Sequence, residues 1–200
     1  MFPSQLYVVI GAAGLLTCIA SLIALHILPT GFEPFADAVS NYALSSYGFL
    51  YRLQAFSSGV CGLCLLAWFA DAGLSLSGPG IAALTIYSFS RLLIIFFPTD
   101  LNPPRTVKGT IHMILAAGTF TGIAIATGSL TSSLRDIGAW SNIAPALNAA
   151  ATLTEAAAVA FLVVVVIRPF RKILGLVERG IYLGTLLWLG LVFAHLIFSL

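Results

Sequence analysis

The stretch from Phe97 to His112 reads F-P-T-D-L-N-P-P-R-T-V-K-G-T-I-H and lies between two long apolar runs. It contains one acid, two bases, three prolines and a histidine. Irregular backbone survives at membrane depth only where protein or a water-filled cavity covers it, because lipid offers no hydrogen-bond partners. The stretch is therefore either a surface connection between two membrane spans or a segment that lines a functional site.

The composition of the chain favours a membrane protein. Hydrophobic residues make up 60% of the 200 residues and charged residues 8%, and the mean hydropathy is +1.05. Soluble domains carry about 25% charged residues, so this chain cannot cover a core with a solvated surface. A membrane span needs about 20 apolar residues. We predict one all-α membrane domain, residues 1–200, a bundle of six transmembrane helices at about residues 5–28, 50–72, 79–97, 109–129, 143–168 and 180–199.

The positive charges fall mainly on one side of these six spans. Cytoplasmic loops of membrane proteins are enriched in Lys and Arg. The asymmetry therefore predicts a multi-pass protein of a bacterial inner membrane, with loops one, three and five in the cytoplasm and both termini outside. The bases that flank the odd-numbered loops are Arg52, Arg105, Lys108, Arg168, Arg171, Lys172 and Arg179, whereas Arg135 lies on the other side.

Loop one, residues Pro29 to Tyr47, is long for a connection between two helices. Its apolar residues recur at helical spacing, which predicts a short helix in the membrane interface with its aromatic side toward lipid or the bundle. Asp37 and Ser40 are one helical turn apart. They either belong to a polar connector in which Ser40 caps a turn, or they face a site. The spaced apolar residues are Phe32, Phe35, Val39 and Tyr42.

Two pairs of small residues predict close contacts between helices. Ser58 and Gly62 are four residues apart in the second span, and Gly118 and Gly122 are four apart in the fourth. Small residues at this spacing allow the backbones of two membrane helices to approach each other. We interpret both pairs as packing features.

Three ionisable residues lie inside the predicted spans. Arg91 is about 9 Å from the end of the third span by helix rise, so it either reaches lipid phosphate or pairs with Asp100 or Asp37. Glu155 in the fifth span and His195 in the sixth are predicted at similar depth. They could form an intramembrane pair, either as a structural contact or as part of a proton relay.

Polar residues from four segments should gather near the cytoplasmic face, and three chemistries could use them. A zinc ion would need ligands such as His26, Asp100 and His112. A hydroxyl nucleophile would use Ser40, with His112 as base and Asp100 orienting that base. A pocket for a phosphorylated substrate would use Arg91, Arg105 and a histidine, with Asp37 as a further substrate-binding residue. Haem held by His26 and His112 is a less favoured alternative, and polar residues that only satisfy loop backbone are another.

Three motifs resemble a known family. They are V-S-N-Y-A-L-S-S-Y-G (Val39 to Gly48), F-P-T-D (Phe97 to Asp100) and the G-x-x-H of Gly109 to His112. Together they resemble the bacterial membrane family called "domain of unknown function 998", over nearly the whole chain. The resemblance implies a six-helix membrane fold and marks Ser40, Asp100 and His112, but it implies no reaction. The turn Leu28-Pro29-Thr30-Gly31 departs from the Pro-Gly-Tyr-Ser that is common there.

These observations lead to two hypotheses about function. The first is a membrane protein that binds, and could process, a lipid or a phosphorylated headgroup at its cytoplasmic face. The second is a non-catalytic accessory subunit or assembly factor, which would have a membrane-protein partner or form a homo-oligomer. Extraction in mild detergent distinguishes them, because an accessory subunit should bring down stoichiometric partners. No nucleic acid is expected as a partner.

Overall fold

The computed structural model describes residues 3–199, which are all-α, with no β-strand among them. Short 3₁₀ helices occur at Val39–Leu44, Gly138–Trp140 and Arg168–Ile173. The six α-helices are α1 (Pro3–Ile27), α2 (Gly48–Asp71), α3 (Gly78–Ile94), α4 (Val107–Arg135), α5 (Ala144–Val166) and α6 (Leu174–Phe198).

Five of these helices are long and apolar enough to cross a membrane. The exception is α3, which is apolar but has 17 residues. At 1.5 Å per residue it is about 25 Å long, somewhat less than the roughly 30 Å of a hydrocarbon core. Several apolar helices of this kind indicate a multi-pass membrane protein. The sixth span and the side on which the termini lie stay predictions.

Most helix limits agree with the predicted spans to within three residues, but α4 ends later and α6 begins earlier than expected. The end of α4 stays helical because Leu130 and Leu134 are fully buried, continuing its apolar face beyond residue 129. The start of α6 at Leu174 takes in Glu178 and Arg179, which the sequence placed at the edge of a loop. Both side chains find partners in loop one, so tertiary contacts stabilise polar residues there.

The helices pack in chain order, each on the next, and α6 returns to pack on α1. Trp188 lies at the centre of the largest core cluster and is fully buried. Its indole Nε1 donates to the hydroxyl of Thr131 at 2.8 Å. This contact ties α6 to α4 across the bundle.

The predicted small-residue contacts are confirmed. A Cβ on Gly122 would lie 2.8 Å from the carbonyl oxygen of Ala83, so only glycine allows α4 to approach α3 this closely. A Cβ on Gly62 would meet the hydroxyl of Ser88, which brings α2 against α3.

Loop one forms a roof over one end of the bundle. Its 3₁₀ helix packs inward, because Val39 and Tyr42 are 0% and 1% exposed. Phe35 is exposed, yet its carbonyl accepts a hydrogen bond from the Leu176 N–H at 3.0 Å. The aromatic side therefore faces the bundle at Tyr42, while a position of this segment in the membrane interface stays a prediction.

Candidate functional site

A cavity of about 530 Å³ lies under loop one, at the end of the bundle where α4 begins and α5 ends. Side chains from α2, α3, α4, α5 and α6 reach it, as do loop one and the loop before α4. The fold thus gathers six of the seven residues that the sequence placed at this face. They are Asp37, Ser40, Arg91, Asp100, Arg105 and His112.

The inner part of the cavity is a narrow apolar space between α4 and α5, the slot. Ala116 and Phe120 line it from α4, while Ala158, Phe161 and Leu162 line it from α5. Leu162 is also 63% exposed on the outside of the bundle, so the slot reaches the lateral surface. The cavity therefore combines a polar chamber at the bundle end with an apolar part between α4 and α5, where the rings of Phe120 and Phe161 have centroids 5.0 Å apart.

Arg91 is the buried cation of this chamber, only 2% exposed. Its Nε donates to the Ser58 hydroxyl at 2.7 Å, Nη1 to the Tyr182 hydroxyl at 3.1 Å, and Nη2 to the side-chain oxygen of Gln54. All three partners are neutral. Within residues 3–199 no carboxylate forms an ion pair with this guanidinium, and the single ion pair found there is at the other end of α4.

Both environments predicted for Arg91 are therefore wrong. Its side chain does not extend to a lipid surface, since it is buried, and it is not paired with Asp37 or Asp100. The acceptors come instead from α2 and from α6. A guanidinium carries five N–H groups, so two of them have no partner among the described residues.

His112 is oriented by backbone rather than by a carboxylate. Its Nδ1 lies 2.7 Å from the carbonyl oxygen of Phe97. Because a carbonyl only accepts, Nδ1 carries the hydrogen in the neutral ring and Nε2 is left as an acceptor. The predicted hydrogen bond from this ring to the Asp100 carboxylate is not formed, and none joins Ser40 to the ring among the described residues.

Asp100 organises the start of α4. Its carboxylate accepts the N–H of Thr106 at 2.7 Å and the hydroxyl of Thr106 at 3.0 Å. The Thr106 hydroxyl in turn accepts the N–H of Gly109 at 3.0 Å. Thr106 is therefore the N-cap of α4. A Cβ on Gly109 would overlap the Asp100 carboxylate. The acid, the threonine and the glycine therefore form one capping unit.

Replacing Asp100 by Ala should destabilise the protein, because the cap of α4 loses a charged acceptor. Hydrogen bonds to charged groups contribute about 1.5–3 kcal/mol each. We expect a loss of about 1–3 kcal/mol in thermal unfolding in detergent. The control, Asp136→Ala, removes a solvent-exposed acid and should change stability by less than about 0.5 kcal/mol. Unchanged stability in Asp100→Ala would contradict this capping role.

His26 lies outside the cavity. Its Nδ1 is 2.7 Å from the carbonyl of Leu22, and its Nε2 accepts from Nε of Arg179 at 2.7 Å. Both ring nitrogens are thus engaged, which leaves neither for zinc or haem. Nor does any group of three His, Cys, Asp or Glu in the described chain lie close enough to hold a metal ion. The predicted metal ligands His26, Asp100 and His112 are therefore not assembled.

The Glu155–His195 pair is not formed either. A Cβ on Gly128 of α4 would meet the Glu155 carboxylate, so that acid lies against α4. The ring of His195 instead stacks on Trp140, with centroids 4.3 Å apart. The prediction failed because α6 begins six residues earlier than expected. By helix rise the two residues then differ in depth by about 15 Å.

Two buried polar or charged residues that line the cavity were missed at the sequence level. Glu178 is 3% exposed, lines the cavity and accepts the N–H of Val39 at 2.9 Å through Oε2. Thr119 is 4% exposed and also lines the cavity, yet its hydroxyl has no hydrogen-bond partner among residues 3–199. One signal was present for Thr119, since it follows His112 by seven residues and so shares its helix face.

The comparisons with known proteins agree with the motif resemblance. No curated protein and no solved structure matches this chain. The sequence model of one family, described as "Protein of unknown function (DUF998)", matches residues 12–195, which is nearly the whole chain. The chain therefore belongs to the DUF998 family of proteins of unknown function.

Proposed function

We propose that the protein binds an amphiphile with an anionic headgroup, such as a membrane lipid with a phosphorylated head. The observation that carries the proposal is Arg91, a buried cation that lines the cavity and has only neutral partners in the described structure. Burying a charge costs free energy unless a counter-charge and further hydrogen bonds offset the lost hydration. An anionic headgroup supplies both.

The shape and polarity of the cavity support the same conclusion. Ligand sites are typically about 300–1,000 Å³ and mostly apolar with a few placed polar groups, and this cavity of about 530 Å³ fits that description. The slot between α4 and α5 would take an acyl chain, since its side wall reaches the lateral surface at Leu162. Arg105 and Arg171 add positive charge at the polar end, where they line the cavity.

His112 is the group best placed to contact a polar atom of the ligand, through Nε2. Binding is a better-supported function than turnover, because a hydroxyl nucleophile needs a base held by an orienting group and hydrogen-bonded to it. Ser40, His112 and Asp100 share the cavity without forming such a chain. The positive charges near this end favour its placement at the cytoplasmic face, with both termini outside.

The slot can be blocked to test the proposal. We expect Ala158→Phe to weaken binding of a fluorescent short-chain phosphatidic acid about tenfold or more, because the new ring fills the space of the acyl chain. Binding is measured by fluorescence anisotropy on protein in detergent.

Ala156→Phe is the matched control. Ala156 is exposed, lies on the same helix and does not line the cavity, so its variant should bind the lipid as wild type does. Equal binding by Ala158→Phe and wild type would overturn the acyl-chain site. Wild-type protein that binds no short-chain phospholipid, phosphatidic acid included, would overturn the proposed function.

A further inference from the structure

The cavity contains a buried acid as well as a buried base. Glu178 and Arg91 both line it, and both are at most 3% exposed. Tyr182 lies between them: its hydroxyl accepts from Arg91 at 3.1 Å, and it follows Glu178 by one turn of α6. The two charges therefore belong to the same chamber but come from different helices.

These two charges do not neutralise each other directly. In the part of the chain that the structure describes, no ion pair joins Glu178 to any base. Glu178 accepts one hydrogen bond there, from the Val39 N–H to Oε2, which leaves Oε1 without a described partner. A buried ion pair offsets its lost hydration only when the geometry is good. Here each charge is held by neutral groups and faces the cavity separately.

The other acids of the cavity are held by their own loops. Asp37 accepts the N–H of Glu33 at 2.8 Å and the side-chain amide of Asn41 at 3.3 Å. Asp100 is held by Thr106, as described above. Both are also more exposed than Glu178. Glu178 is therefore the acid best placed to meet a buried cationic group of a ligand.

When ionised, Glu178 would repel a purely anionic headgroup. We propose that the site is selective for a zwitterionic headgroup, in which an ammonium and a phosphate or carboxylate are separated by a short linker. Arg91 binds the anion, and Glu178 binds the ammonium. A site of this kind discriminates by attraction to one ligand and repulsion of another. The inference rests on the proposed function and names the class of headgroup.

A further polar group lies beside the expected position of the anion. The unpartnered hydroxyl of Thr119, together with Arg91 and Tyr182, also lines a small void of about 10 Å³ next to the main cavity. Such a void has room for about one water molecule. The hydroxyl can donate to an oxygen of the anion or to a water that bridges to it.

The test compares headgroups on the wild-type protein in detergent. The probes are dihexanoyl phosphatidylethanolamine, the same lipid with its amine acetylated, and dihexanoyl phosphatidylglycerol. We expect the zwitterionic lipid to bind about tenfold or more tightly than either anionic one, since one charged hydrogen bond is lost. Equal or tighter binding of the two anionic lipids would overturn the inference while leaving the proposed function in place.

Glu178→Gln tests the residue itself. The amide oxygen can still accept the Val39 N–H, so the roof keeps its contact while the negative charge is removed. We expect the preference for the ethanolamine headgroup to fall to within about twofold. Glu155→Gln is the matched control, because Glu155 is an acid of the neighbouring helix that does not line the cavity. An unchanged preference in Glu178→Gln would overturn the role of this carboxylate.

A final comparison separates a lipid from a free metabolite with the same chemistry. O-phosphoethanolamine carries the two charges without acyl chains, and we expect it to bind at least about tenfold more weakly than the lipid. Binding as tight as that of the lipid would support the zwitterion site and overturn the acyl-chain part of the proposed function. If none of the lipids and no O-phosphoethanolamine binds, both the inference and the proposed function fail.

Discussion

Replacing Arg91 by Gln should weaken binding of short-chain phosphatidic acid by about 100-fold or more. The free N–H groups of the guanidinium can form two charge-assisted hydrogen bonds to phosphate oxygens, each contributing about 1.5–3 kcal/mol. Since 1.4 kcal/mol is a factor of ten in the dissociation constant, the loss of both predicts at least this effect. Isothermal titration calorimetry on protein in detergent gives the constants.

Arg91→Lys refines this prediction. A lysine keeps the positive charge but not the planar fork, so it should bind phosphate with an affinity between those of the wild type and the Gln variant. Arg135→Gln is the control. Arg135 lies at the other end of α4, pairs with Asp136 at 3.6 Å and is exposed, so its variant should bind as wild type does. If a folded Arg91→Gln protein bound phosphatidic acid with wild-type affinity, Arg91 would not belong to the binding site.

The helices could be predicted from hydropathy because each is a long apolar run bounded by polar or Pro-rich loops. The errors at α4 and α6 have different physical causes: buried leucines extend α4 beyond its predicted end, whereas polar residues at the start of α6 are satisfied by contacts with loop one. Glu178 is the clearest case, since its partner Val39 is distant in sequence. An acid beside an arginine near a predicted helix start gives no sign that it is buried.

Which residues lie in the site could also be predicted from the sequence, whereas the contacts between their side chains could not. Alternating spans place loops one and three at the same end of a bundle, and this was enough to gather six of the seven residues. Which side chain touches which depends on how each helix is rotated and which helix lies next to it. Gln54 and Tyr182 became the partners of Arg91 for that reason, since no spacing within one helix predicts a contact between helices.

We expect Gly175→Ala to displace loop one, which covers the cavity, from α6. A Cβ at this position would meet the carbonyl oxygens of Pro34 and Asp37, so loop one lies directly on the backbone of α6. Backbone carbonyls cannot turn aside as a flexible side chain can, so the loop itself must move. The movement would strain the hydrogen bonds from Leu176 to Phe35 and from Val39 to Glu178.

The expected result is a less stable protein with an impaired site. Strain from such overpacking costs about 1–3 kcal/mol, which lowers the melting temperature by several degrees in a chain of this size. Phosphatidic acid binding should fall as well, because Ser40 and Asp37 of the displaced loop line the cavity. Differential scanning fluorimetry and the calorimetric titration measure the two effects.

Gly190→Ala on the same helix is the matched control with the opposite sign. In the described part of the chain, no atom outside the adjacent residues and the backbone of the same helix lies within 4 Å of a Cβ placed there, so the added methyl meets open space. Alanine is favoured over glycine inside a helix by about 0.5–1 kcal/mol, so this variant should be slightly more stable and bind normally. If Gly175→Ala were also more stable than wild type, helix propensity rather than the contact with loop one would explain Gly175. Opposite signs would show that loop one is held over the cavity by direct contact with α6.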